Sequence, residues 1–280
     1  MSVGPILPTY QPRARGHVTR PDLDLVKAAS HARYGARILR LPTATASSYD
    51  CRALGIVPPV RDQGQCGSCW NFSGSGVATM ALIAAGYGPA DGSFHLSEQN
   101  VMDCNSTGAC SGDDNTTVLQ IAETVGILTD AQYGPYEGRR RSCKVVASPQ
   151  PYKIGSWGFC DGTGNGVTDT QLIKNCMVAY GPIGIGIAAD NDFENSPAGF
   201  VFLGSGATVI DHDVILVGWQ DDTSIPGGGY WILRNSWGTS WCEQGYQRIA
   251  YGANNVGTEA VWASAVPLGP VPVPPTSIAA

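Results

Sequence analysis

The sequence predicts an α+β fold in two parts, a mainly helical half followed by a mainly β half. Three observations predict it. Capped, apolar segments of helical length fill residues 68 to 126. Short β-branched and aromatic runs, separated by Gly and Pro, fill residues 183 to 249, and the turn-rich stretch Tyr133 to Pro151 lies between the two regions. The composition, 280 residues with 43% hydrophobic and 14% charged, provides a substantial core and excludes a wholly disordered chain or a coiled coil. The expected division is an extension over 1–48, a helical part over 49–150, a β part over 151–265 and a Pro-rich tail over 266–280.

Each element follows from local chemistry. Residues 1–48 are rich in Pro, Arg, Ala and Ser and read as an extension outside the core, with one amphipathic helix from Asp22 to Arg33 after Pro21. Tyr49 to Asp62 reads as strand and loop, because Pro58-Pro59 forbids helix there. Ser68 to Ala85 is apolar on nearly all faces (Trp70, Phe72, Val77, Met80, Leu82, Ile83) and is predicted to be a buried helix. A Ser97 cap with Glu98 in the first turn starts a helix through Asp103, and Thr116 to Val125 forms another, ending at Gly126. In the second half a single helix is predicted near Asp169 to Tyr180. Strands are predicted at Ile183–Ala188, Phe200–Leu203, Val214–Trp219, Tyr230–Leu233 and Tyr246–Ile249. The tail from Val266 is expected to be extended polyproline or disordered.

Charge and composition narrow the partners. With 17 Lys and Arg against 23 Asp and Glu, the net charge of −6 argues against nucleic acid, and Arg139-Arg140-Arg141 is the only basic run. That run reads as a solvated loop. No apolar stretch reaches the roughly 20 residues that span a bilayer, so no membrane partner is expected. Met1 to His17 lacks the apolar region of a secretory signal. Nine cysteines fit either reduced thiols in a reducing compartment or eight paired and one free in an oxidising one.

The chemistry concentrates in Gln63-Gly64-Gln65-Cys66-Gly67-Ser68-Cys69-Trp70. Cys69 falls in the first turn of a buried helix, where free backbone N–H groups favour a thiolate. Of the four histidines, His212 alone opens an apolar strand, whereas His17, His31 and His95 read as surface or structural. Asn235 can accept from one imidazole nitrogen of His212 while the other faces the thiol, and Trp237 can shield that bond. Gln63 can donate to a developing oxyanion. Zinc or a redox pair at Cys66 and Cys69 is disfavoured: zinc requires a second ligand pair, and a redox pair requires a βαβ context.

These segments resemble the papain family of cysteine peptidases, whose Cys-Gly-Ser-Cys-Trp signature and Cys-to-His gap they reproduce; here that gap is 143 residues, and Asn235 follows 23 later. The resemblance runs from about Tyr49 to Val261, through Leu96-Ser97-Glu98-Gln99, Gly181-Pro182 and Asn235-Ser236-Trp237-Gly238. It implies a helical domain carrying the nucleophile and a β-barrel-like domain carrying His and Asn, with the cleft between them. By position it implies Cys69 as nucleophile, His212 as general acid and base, Asn235 as orienter and Gln63 as oxyanion donor. The implied reaction is peptide hydrolysis through a thioester, without metal or organic cofactor. It also implies bridges Cys66–Cys110 and Cys104–Cys143, leaving the pairing of Cys51, Cys160, Cys176 and Cys242 open. Bridges would favour a secreted or periplasmic location, and the short extension suggests a prokaryotic source.

Departures from the family pattern set further expectations. A full helical propeptide does not fit in 48 residues, so the extension is expected to lie across or near the cleft as a short inhibitory pro-segment, against the alternative of a disordered leader. The substrate-binding set carried over comprises Gly112, Asp113, Gly186, Asp211, Asp213 and Trp237. Gly186 replaces a larger lining residue, which suggests a roomier S2 pocket. Acidic Asp213 and Asp113 suggest that Arg or Lys is accepted at P2 alongside apolar residues; the competing expectation is that both face solvent or cap local backbone. Peptide or protein substrates are the expected partners. An inactive relative serving as a binding or surface protein is the alternative from a different class, and acyl transfer is a minor third.

Overall fold

A computed structural model describes residues 12–161 and 166–269. The first helix, α1 (Leu23–Ile38), is longer than expected and is not peripheral: Leu23, Tyr34 and Ile38 are buried in the main core. Tyr34 meets Trp262 edge-on, with ring centroids 5.1 Å apart, and the Ser30 hydroxyl accepts from Phe159 N at 3.2 Å. Part of the extension is therefore built into the β half. Most of the polyproline expectation for the tail falls outside the described residues.

After β1 (Ser48–Asp50), the helical half is organised around α2 (Cys69–Ala84), in which every residue from Cys69 to Ile83 is buried. Its glycines let neighbours approach closely. A Cβ at Gly74 would stand 2.6 Å from Val118 Cβ, and one at Gly76 would stand 2.6 Å from Ile215 Cδ1. The helix is thus clamped between α4 (Asn115–Thr124) on one side and the sheet on the other. Ser97 caps α3 (Glu98–Cys104) by accepting from Asn100 N, and Asp114 caps α4 by accepting from Thr116 N. The short α5 (Asp130–Tyr133) closes this half.

The second half contributes β2 (Ser156–Phe159), α6 (Thr170–Tyr180), β3 (Ile183–Ile187), α7 (Asn191–Glu194), β4 (Val201–Phe202), β5 (His212–Asp221), β6 (Gly229–Arg234), β7 (Tyr246–Ala250) and β8 (Thr258–Ser264). Among the described residues they form an eight-stranded sheet in the order β2-β8-β3-β5-β6-β7-β4, with β1 paired to β5. Every pairing is antiparallel except β4 with β7. The five expected strands are present; β2 and β8 were not expected. Because β1 pairs with β5, residues 48–50 belong to the sheet although they precede the helical half in sequence. The bridges Cys66–Cys110 and Cys104–Cys143 are formed. Cys51, Cys160, Cys176 and Cys242 are free thiols, so the odd cysteine count divides as four bridged and five free rather than eight paired and one free.

Candidate active site

α2 and β5 converge on the cleft. Cys69 is the first residue of α2 and His212 the first of β5, and both are buried. His212 Nε2 lies 2.8 Å from Asn235 Oδ1, which also accepts from Ser236 N at 2.7 Å. That second bond fixes which atom of the Asn235 amide is oxygen, so Nε2 carries the proton and Nδ1 is the free acceptor. Nδ1 is buried and has no partner among the described residues. Trp237 stacks on the imidazole with centroids 4.5 Å apart and is itself buried, which keeps water from the Nε2 bond. Gln63 is held by Ser236, whose hydroxyl donates to Oε1 at 2.6 Å, leaving Nε2 to donate into the cleft.

The cleft is filled by the chain's own residues 13–18. Gly16 N donates to Cys69 Sγ at 3.1 Å. Ala14 O accepts from Gln63 Nε2 at 3.1 Å and from Trp237 Nε1 at 3.2 Å. Gly16 O accepts from Asp113 N, Val18 N donates to Asp113 O and His17 N donates to Asp211 O. The approach is close: a Cβ at Gly16 would stand 1.9 Å from Gly67 O, and one at Gly112 would stand 2.6 Å from Val18 Cγ2. The segment is not positioned for cleavage. The peptide nearest the sulfur joins Arg15 to Gly16, whereas the carbonyl at Gln63 belongs to Ala14.

Two cationic side chains anchor this segment. The Arg15 guanidinium reaches Glu194 and Asp211, and the His17 ring inserts beside Asp213, its Nδ1 3.1 Å from Oδ2. His17 was expected to be surface or structural, and its side chain is only 4% exposed. Burial works against its charge, but Asp213 outweighs burial, with Asp114 and Glu259 assisting, and its pKa rises to about 9. Burial and the neighbouring Asp114 push the Glu259 carboxyl up to about 7. Sequence reading missed Arg15, His17, Asp114, Glu194 and Glu259; Arg15 and His17 recur every second residue like a strand, a signal too short to be noticed.

The expected thiolate is not favoured in this closed arrangement. Burial, then the Asp213 carboxylate, raises the Cys69 thiol well above its ordinary value, against backbone donors at Asp213, Gly16 and Trp70. Burial lowers His212 to about 3 despite its bond to Asn235, with Arg15 and His17 adding repulsion. Thiol and imidazole are both neutral.

The expected binding residues separate into groups. Asp213 faces the cleft. The Asp113 carboxylate instead accepts from Gly108 N, Asp114 N and Thr117 Oγ1, each at 2.8 Å, so it caps local backbone and offers the cleft only its main chain. Gly186 does not widen the pocket, because Ile210 Cγ2 lies 2.8 Å from where a Cβ would sit. Arg140 is not simply solvated: its guanidinium donates to Met102 O, Asn105 O and Thr107 O.

A papain family cysteine protease domain matches residues 45–266. The senescence-specific cysteine protease SAG12 of Arabidopsis thaliana is 36% identical over 205 residues, covering 72% of this chain and 56% of its own. Cathepsin L of Sarcophaga peregrina is 36% identical over 217 residues, covering 74% and 60% respectively. The chain thus spans well under two thirds of the length of these relatives, which come from a plant and an animal and lend no support to a prokaryotic source. The digestive procathepsin L2 proteinase from Tenebrio molitor larval midgut superposes with a TM-score of 0.72 at 25% identity, covering 90% of this chain and 78% of that one. The chain belongs to the papain family of cysteine proteases.

Proposed function

We propose that the chain is a cysteine peptidase held latent by its own residues 13–18. The observation that carries this reading is the unpartnered Nδ1 of His212, held by Asn235 and Trp237 in the cleft where Cys69 lies. Once the segment leaves and water enters, the burial that keeps both groups neutral is relieved, and the Cys69 proton passes to Nδ1. Sγ attacks a substrate carbonyl carbon, and the oxygen takes the negative charge beside Gln63 Nε2. The C–N bond breaks, with Nδ1–H protonating the departing amine. Water, deprotonated at Nδ1, then cleaves the thioester and restores the thiol. Every step uses side chains of this protein.

The reading extends to specificity and compartment. A cationic ring seated on buried Asp213 supports acceptance of Arg or Lys at P2 alongside apolar residues. Two bridges support an oxidising compartment, secreted or periplasmic. The occupied cleft and neutral thiol favour a restrained peptidase over an inactive binding protein, because Gln63, Cys69, His212 and Asn235 are all present. The test is alkylation of Cys69 by iodoacetamide with matched loss of peptide hydrolysis in protein freed of residues 13–18. Failure to label Cys69 there would favour the inactive class. For P2, kcat/KM on substrates differing only as Arg, Leu or Phe decides, and a large penalty for Arg removes that part.

A further inference from the structure

We propose that Glu194 and Asp211 form a subsite for a cationic side chain at P1′, immediately beyond the scissile bond. The inference rests on the peptidase reading but not on the Asp213 pocket. The Asp113 backbone pairs with Gly16 and Val18 on one side of Cys69, and Trp237 stacks on the His212 ring, which protonates the departing amine, on the other, so the acyl part of a substrate lies along Asp113. Arg13, Ala14 and Arg15 continue to the other side, past Gln63 and Trp237, where the leaving group must lie.

The pocket on that side is built and rigid. Arg15 Nη2 lies 3.2 Å from Glu194 Oε2 and Nη1 lies 3.1 Å from Asp211 Oδ2, while Asn191 Oδ1 is 3.5 Å from Nη2. Glu194 ends α7, which Asp190 caps through Phe193 N and which Phe193 anchors against Trp237 and Trp241. Trp241 Nε1 holds the Glu194 carbonyl at 2.9 Å. Asp211 Oδ1 accepts from Ala189 N at 2.8 Å, which turns Oδ2 towards the guanidinium.

Departure of the extension changes the position of Glu194 most. Its side chain is 3% exposed, and both described partners of its carboxylate, Arg13 N at 2.7 Å and Arg15 Nη2, leave together. Water then reaches the carboxylate, and a substrate bearing Arg or Lys at P1′ replaces the charge and the charge-assisted hydrogen bond that Arg15 made.

The test uses the full chain and two quenched-fluorescent peptides that differ only as Arg or Ala at P1′. Occlusion by the extension scales both rates by the same open fraction, so the ratio of kcat/KM values reports the subsite alone. We expect a preference for Arg of about tenfold, as for one charge-assisted hydrogen bond. In Glu194→Gln the ratio falls below about twofold, while the absolute rate on the Ala peptide rises because the extension is held less tightly. Asp211→Asn, which leaves α7 untouched, lowers the ratio by roughly threefold. A ratio near one in the parent protein, or a ratio unchanged in both variants, overturns the subsite. If the full chain cleaves neither peptide, hydrolysis is measured again in protein freed of residues 13–18, and failure there is failure of the peptidase reading alone. The subsite is then read from the Kd of both peptides for full-length Cys69→Ala by fluorescence anisotropy, where equal values overturn it and tighter binding of the Arg peptide upholds it.

Discussion

Cys69 occupies a helix terminus that favours a thiolate, yet burial beneath residues 13–18 is the larger effect and keeps the thiol protonated. In the proposed latent state the closed cleft therefore suppresses the nucleophile as well as blocking it. His17 adds a pH term with a definite sign. Its pKa is about 9 when seated, above its ordinary 6.5. The stabilisation it gives the closed state is fully present below about pH 6.5 and is lost as pH rises through about 9. The groups facing it are Asp213, Asp114 and Glu259, with Lys27 beyond Glu259. Glu259, raised to about 7, and Asp213, raised by burial, limit the effect on the acid side as they protonate. A shift of this size corresponds to on the order of 3 kcal/mol. The ratio of Cys69 alkylation rates, His17→Gln over the parent chain, should exceed tenfold near pH 6.5 and approach one by about pH 10. Taking the ratio cancels the ionisation of the thiol itself, and a ratio flat with pH would refute the assignment.

At the scale of elements, the proposed inhibitory contact depends on glycine meeting backbone. Gly16 lies so close to Gly67 that a methyl group would stand 1.9 Å from the carbonyl oxygen, and the obstructing atom is main chain anchored beside Cys66. Gly16→Ala should therefore unseat residues 13–18 without touching the core. Overpacking of about 1–3 kcal/mol translates into an increase in Cys69 alkylation of about fivefold to a hundredfold, with a fall of only a few degrees in melting temperature. Unchanged labelling would show that the segment adapts in place. The sequence made the helices around the site legible because caps and apolar faces are local: Ser97, Asp114 and the apolar run after Ser68 suffice. It did not reveal β2 and β8. Ser156–Phe159 is too short for a pattern, and Thr258–Ser264, buried on both faces, shows no alternation of polar and apolar residues. The seat of Arg15 and His17 was hidden for another reason: its acidic partners come from residues 114, 194, 211, 213 and 259, which only the tertiary fold brings together.

For the whole molecule, the extension divides into two parts with different jobs. Residues 13–18 fill the cleft, while α1 packs Leu23, Tyr34 and Ile38 into the core and meets Trp262 and Phe159 of the sheet. Composition suggested a single coreless leader, because Pro and Arg dominate its beginning and α1 declares its apolar face only against β2 and β8. The two parts should separate by truncation. Removing residues 1–20 takes away the contacts that residues 13–18 make to Cys69, Gln63, Glu194 and Asp213 but leaves α1, so Cys69 should become reactive and peptide hydrolysis should appear with a fall of only a few degrees in melting temperature. Removing residues 1–40 also strips three buried side chains from the core. At about 1.5–3 kcal/mol each, that loss should lower the melting temperature by roughly 10 °C for a chain of this size. Scanning calorimetry of both truncations beside the full chain, with alkylation of Cys69 read in parallel, makes the comparison. Equal stability of the two truncations would mean that α1 is only a tether, whereas an inert Cys69 after removal of residues 1–20 would mean that the restraint lies elsewhere than in the cleft.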